Sequence, residues 1–190
     1  NKNIRERILM NENIITVGDL LMVVKNNYHW LNNKRDLGFI ANGDIIKIEE
    51  IYSIKKLYGY QFAEVKITMV DYPKIKSFET VLILNTLEIN TSSLEYSETT
   101  NLYQEILKDY MDIKTKYKRH LSVKKNKYFN ALQVKFAYSF TCHKSQGGQW
   151  ESIFLEYPFL PNGMDKDFFR WLYTAITRAQ NKLHLIGFNQ

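Results

Sequence analysis

The apolar residues of this chain change their period twice, and no single layer of structure accommodates all three patterns. Between Asn42 and Asn90 they alternate with polar residues, most clearly in "FAEVKITMV" (Phe62 to Val70). A period of two marks a strand with one buried face. Between Asn101 and Lys118, Leu102, Tyr103, Ile106, Leu107, Tyr110 and Ile113 recur at helical spacing, which predicts an amphipathic helix. From Leu132 onward, short apolar runs alternate with helical stripes. "LQVKFAYSF" and "SIFLE" (Ser152 to Glu156) read as strands. "DKDFFRWLYTAITRAQ" is a helix with Phe168, Trp171, Leu172, Ala175, Ile176 and Ala179 on one stripe, and "KLHLIGF" (Lys182 to Phe188) is a last strand. Strand, helix, strand, helix, strand in that rhythm predicts an α/β unit with a mostly parallel sheet.

The first part of the chain supplies further strands. Leu20 to Val24 is continuously apolar and predicts a buried strand. Asn42-Gly43 is a tight-turn dipeptide ahead of an alternating run, and "FETVLIL" (Phe78 to Leu84) follows as another strand. Short polar turns between them predict a small antiparallel sheet or barrel. The simplest plan is a discontinuous α/β domain. Residues 1–41 would form its first part and 132–190 its second, with the β unit, a helix and a basic segment inserted over 42–131.

Composition narrows the classes. The single cysteine, Cys142, excludes an intramolecular disulfide and suits a reducing, cytoplasmic setting. No apolar run approaches the roughly 20 residues that span a bilayer, so no membrane partner is expected. The four histidines, His29, His120, His143 and His184, show no ligand spacing, and no metal site is expected. The net charge of +6 is compatible with an anionic partner. It is concentrated in Lys114 to Lys127, which holds seven Lys/Arg and no Asp/Glu. Two readings of that segment stay open. It is a solvated stretch, or it is a phosphate-contacting strip in which Lys124, Lys125 and Lys127 meet a single strand, with Tyr117 and Tyr128 nearby for stacking. The opening residues, beginning at Asn1, read like the interior of a longer protein.

"TCHKSQGGQW" (Thr141 to Trp150) gathers a thiol, an imidazole, an ammonium, two side-chain amides and paired glycines. Taken singly, each residue has an ordinary role. Thr141 caps a helix, Cys142 packs, His143 and Lys144 face solvent, and Gly147 and Gly148 make a turn. Taken together, a donor-rich strand end followed by glycines suits phosphate or ribose. Downstream, Arg178 falls at the edge of the apolar stripe of "WLYTAITRAQ". There it serves either as a salt-bridge partner or as a cation aimed at a phosphate.

"FTCHKSQGGQW" followed by "WLYTAITRAQNKLHLIGF" resembles motifs V and VI of superfamily 1 helicases, nearest the RecD-like group. "NGDIIKI" at Asn42 resembles the entry to the SH3-like insertion of that group. The resemblance implies a RecA-like, mostly parallel sheet with helices, the C-terminal motor domain of an ATP-dependent DNA helicase, interrupted by an SH3-like antiparallel β insertion and an amphipathic helix. It implies 5′-to-3′ movement and work in DNA repair and recombination. Arg178 would be the arginine finger. Gln146, Gly147, Gly148 and Gln149 would lie at the nucleotide, with Gln149 where many relatives carry glutamate. Thr141, His143, Lys144 and Ser145 would lie along single-stranded DNA. The cofactor would be ATP with Mg2+, held mainly by an N-terminal motor domain of the same protein. No G-x-x-x-x-G-K-[ST] and no Walker B acidic pair occurs in these 190 residues, so this chain by itself is expected to be inactive. The alternative from another class is a non-enzymatic module that binds single-stranded nucleic acid through the β unit and the basic strip. A less favoured one is a protein-interaction domain.

Overall fold

The computed structural model describes residues 1, 3–31, 38–146, 148–160 and 163–188. Two compact units divide the chain, Asn1–Tyr138 and Ser139–Gln190.

The first unit is built on a closed five-stranded barrel. Its strands are β1 (Leu20–Val23), β2 (Ile45–Leu57), β3 (Tyr60–Met69), β4 (Phe78–Ile83) and β5 (Leu132–Phe136). Inward positions follow period two: Leu21 and Val23, Ile46 and Ile48, then Ala63, Val65, Ile67 and Met69, then Leu132 and Val134. Burying these apolar side chains away from water is the main favourable term for the unit. β2 is long enough to wrap the barrel because it is irregular, with register shifts between Ile48 and Glu50 and between Ile51 and Ser53. Extra residues at such points bend a strand and increase its twist. Tyr58 and Gly59, both with positive φ (53° and 80°), turn β2 into β3 with Leu57 opposite Tyr60. That is the tight hairpin whose twist suits the strands.

Residues on the outer wall of the barrel make a second core. Phe62, Val81 and Ile83 meet Leu94, just ahead of helix α1 (Tyr96–Lys108), with Leu102 and Ile106 of α1 and Val123 of helix α2 (Lys116–Lys125). The basic segment is therefore largely helix α2, which Val123 anchors. α1 begins with a reciprocal cap between Glu95 and Glu98, which satisfies donors at the helix start.

The structure overturns the expectation of a RecA-like, mostly parallel sheet. The strand at Leu20 pairs antiparallel with both β2 and β5. The strand at Leu132 likewise joins the barrel, not the strands that follow it in sequence. The barrel thus draws β1 from residues 1–41, β2 to β4 from 42–131 and β5 from 132–190. A short apolar run announces burial but carries no information about the direction of its neighbours. Among the described residues parallel pairing survives in two places. β5 lies beside β4 over Leu82–Leu132 and Ile83–Gln133. This short contact is extended by buried Thr86, whose Oγ1 accepts from Val134 N–H at 3.1 Å. The other place is the second unit, where β6 (Trp150–Glu156) and β7 (Ala179–Ile186) are parallel and α3 (Lys166–Ile176) connects them. Across that pair Phe154 stacks on His184 at 4.5 Å, a register partner.

An ion pair fastens the N-terminal segment to the barrel. Arg5 and Asp19 are 4% and 1% exposed. Arg5 Nε donates to both Asp19 carboxylate oxygens at 3.1 Å. Its Nη1 donates to the carbonyls of Asn11 and Asn13, and its Nη2 to Thr16 Oγ1. Tyr138 Oη and Thr16 N–H also donate to Asp19, each at 2.7 Å. Burial, and then the bond to Asp19, push the Tyr138 phenol up to about 12. The guanidinium lies 4.8 Å over the Phe136 ring. Each guanidinium nitrogen and both carboxylate oxygens have a partner, the condition under which a buried ion pair is tolerated.

On the barrel exterior, Lys127 Nζ and Tyr128 Oη each donate to Glu64 Oε1 at 2.8 Å, and Lys55 lies 3.5 Å away. The Lys127 bond, then the Tyr128 bond, hold the Glu64 carboxyl down at about 2.

Two outcomes are expected. Arg5→Met strands the Asp19 charge and lowers unfolding free energy by about 3 kcal/mol, while Arg5→Met/Asp19→Asn costs less than the sum of the singles. Urea melts followed by circular dichroism measure this, and an Arg5→Met loss below about 1 kcal/mol contradicts it. For Glu64 the folded value lies below the ordinary 4.5. Its stabilisation is therefore present above that value and fades as pH falls toward about 2. Glu64→Gln should remove roughly 1 kcal/mol at pH 7, an amount limited by solvent screening, and should flatten the stability profile across that acid range.

Candidate functional site

The second unit assembles the two sequence segments singled out above. After Thr141 the chain makes consecutive tight turns. Lys144 N–H donates to Thr141 O at 2.9 Å and Gly148 N–H to Ser145 O at 3.1 Å, around a short 3-10 helix at Cys142–Ser145. Ser145 is buried, and its hydroxyl donates to the Cys142 carbonyl at 2.6 Å. It therefore holds the turn and does not face solvent. Thr141, His143, Lys144, Gln146 and Gln149 are exposed. Cys142 is half-buried, with its thiol 3.6 Å from the Trp171 carbonyl of α3. That contact packs the turn against α3. Gly147 lies outside the described residues.

α3 begins where Asp165 Oδ1 accepts from Phe168 N–H at 2.8 Å, an N-cap that satisfies a donor at the helix start. Its polar face closes an open cleft of about 400 Å3 with the 3-10 turn, lined by His143, Gln146, Asp167, Arg170, Trp171 and Thr174. Arg170 and Trp171 were not among the expected site residues. Asp167, Arg170, Trp171 and Thr174 stand at i, i+3, i+4 and i+7, so helical periodicity alone places them together. The exposed Asp167–Arg170 pair, 3.0 Å apart, partly neutralises this cleft.

Arg178 sits just beyond the end of α3 and is half-buried. Its Nε donates to Thr174 O at 3.0 Å, Nη1 to Gly148 O at 3.2 Å and Nη2 to Thr177 Oγ1 at 3.0 Å. In return Trp150 N–H donates to Arg178 O at 2.9 Å. The guanidinium thus joins the glycine-bearing turn to the C-terminal end of α3. No carboxylate pairs with it among the described residues. Carbonyl oxygens at a helix C-terminus favour a cation there, yet they carry only partial charge, and a phosphate is the stronger partner for a guanidinium fork. Gly148 is required for contact: a Cβ there would collide with the Trp150 indole. A side chain at that position would force the ring or the turn to shift.

The basic residues expected along a strand are in the first unit and separate from one another. Lys127 is held by Glu64. Lys124 and Lys125, at the end of α2, line a different cleft with Lys25.

The donor set of the second unit fits one side of a nucleotide phosphate: an uncompensated guanidinium beside a glycine backbone and the exposed amide of Gln149. Among the described residues no group of three His, Cys, Asp or Glu side chains gathers that could hold a metal ion. Among those residues, no helix is long and apolar enough to cross a membrane.

The chain is 40% identical over 60 residues to the uncharacterized protein MJ1519 of Methanocaldococcus jannaschii, a stretch covering 31% of this chain and 5% of that protein. The chain thus spans a small fraction of that relative's length. Residues 136–186, from the last position of β5 to the end of β7, match the family of UvrD-like helicase C-terminal domains, and this match supports a helicase C-terminal domain over that part of the chain.

Proposed function

We propose that this chain is the C-terminal portion of an ATP-dependent DNA helicase of the RecD-like group, moving 5′ to 3′, with the SH3-like insertion of that group over 42–131. The observation that carries the reading is the junction of Arg178 with Gly148 inside the stretch that matches helicase C-terminal domains. A helicase needs its nucleotide site coupled to its nucleic-acid track. One residue that bonds both the glycine-bearing turn and the end of α3 supplies such a coupling point.

On this reading ATP with Mg2+ is held mainly by an N-terminal motor domain. This chain contributes the uncompensated Arg178 guanidinium to the γ-phosphate. Its bonds to neutral oxygens hold the fork ready and are exchanged for bonds to phosphate oxygens when the two motor domains close. Gln146, Gly148 and Gln149 lie on the nucleotide side, and Gln149 accepts a ribose bond without the charge of a carboxylate. Thr141, His143 and Lys144 present exposed donors to single-stranded DNA. Buried Ser145 keeps their turn in shape.

Two measurements test the reading. In the protein carrying both motor domains, Arg178→Ala should lower DNA-stimulated ATP hydrolysis by about 10³ or more, with single-strand affinity within a few-fold of wild type. Arg178→Lys keeps the charge but loses the fork, and should recover little. ATPase within a few-fold of wild type in Arg178→Ala rules out the finger role. Separately, the 190-residue chain alone should show no DNA-stimulated phosphate release above background, and turnover by it would contradict a nucleotide site shared with a second domain.

A further inference from the structure

The first unit holds a second cleft, of about 420 Å3, between the segment that leaves β1 and the ends of α1 and α2. That volume lies within the range of about 300–1,000 Å3 usual for ligand sites. Lys25 comes from one wall, and Lys124 and Lys125 from the other. No Asp or Glu lines the cleft. Among the described residues none of the three ammonium groups has a carboxylate partner, whereas nearby Lys127 has one in Glu64. The helix end favours Lys124 and Lys125 locally, but Lys25 has no such support. Convergence of like charges costs energy until an anion arrives.

The walls are fixed to one another before any ligand binds. Asn27 Nδ2 and Trp30 Nε1 both donate to the Asn130 carbonyl, at 2.9 and 2.8 Å. Asn130 Nδ2 in turn donates to Lys124 O at 2.7 Å and Asn126 O at 2.8 Å. The loop bearing Lys25 and Tyr28 is thereby bonded to the turn bearing the other two lysines. Such preorganisation lowers the ordering cost of binding. Tyr28 is 59% exposed and stacks on Phe39 at 5.0 Å and 25°. One ring face is backed by a second aromatic while the residue stays open to solvent. His29 also lines the cleft, and burial lowers its imidazole pKa, which leaves the lysines to carry the charge at neutral pH.

We propose that this cleft binds a stretch of single-stranded nucleic acid, with phosphates on Lys25, Lys124 and Lys125 and a base against the ring of Tyr28. Phosphates need the cations. The open shape suits a strand that continues past the site, and a supported aromatic face suits an unpaired base. The inference deepens the nucleic-acid side of the helicase reading and rests on it, but it concerns residues outside the matched 136–186.

The test is fluorescence anisotropy with labelled oligo(dT), oligo(U) and a duplex of equal length, titrated with the 190-residue chain over a series of salt concentrations. Lys25→Gln/Lys124→Gln/Lys125→Gln should weaken single-strand binding by about 10-fold or more, and should reduce the salt slope by about 2. Tyr28→Ala should weaken it by about 10-fold, while Tyr28→Phe stays near wild type. The altered side chains are exposed, and unchanged melting curves confirm folding. The relative affinities for oligo(dT) and oligo(U) identify the sugar. Variants that bind as wild type overturn the cleft while leaving the helicase reading intact, because Arg178 is tested by ATPase. Equal affinity for duplex, or lysine dependence without Tyr28 dependence, overturns the single-strand assignment. A wild-type chain that binds no strand overturns the cleft as well, again without touching the Arg178 result.

Discussion

Four residues close the barrel. Leu20–Val23 bond to β2 on one side and β5 on the other, and without them both strands would present open edges. Asp19, immediately before this strand, receives Arg5, Thr16 and Tyr138. The same carboxylate thus ties down the N-terminal segment, the start of β1 and the residue two positions beyond β5. Tyr138 is also the last residue of the first unit.

Closure also decides where the basic residues are available. α1 and α2 have an apolar side to bury because Phe62, Val81 and Ile83 point out of the barrel. Once α2 docks there, Lys127 meets Glu64 of β3, and Lys124 and Lys125 meet the cleft below β1. Three lysines adjacent in sequence therefore divide between a paired structural role and an unpaired one. Counting charge along the chain cannot make that division, because the partner of Lys127 is 63 positions away.

Arg178 shows the same separation between residue type and environment. Its position at the edge of the α3 stripe follows from helical spacing, and the structure leaves it half-buried. That its fork reaches Gly148 O depends on the parallel pairing of β6 and β7, which places Trp150 opposite Ala179. Arg170 and Trp171 were equally legible by periodicity. Nothing local in the sequence indicates that the turn at Cys142–Ser145 lies against that face of α3.

The sequence by itself determined where most strands and helix α3 fall and which two segments carry the helicase resemblance, but it ran the helix of α1 on to Lys118 and left α2 as a basic strip. These depend on neighbours within a few positions, through period, turn dipeptides and caps. Tertiary structure alone decided strand partnership. Leu20–Val23 and Leu132–Phe136 are apolar enough to suit a parallel sheet or a barrel, and they became barrel strands. Pairing direction is set by long-range closure and by where distant groups such as Arg5 and Asp19 find each other, and neither leaves a mark on the local pattern.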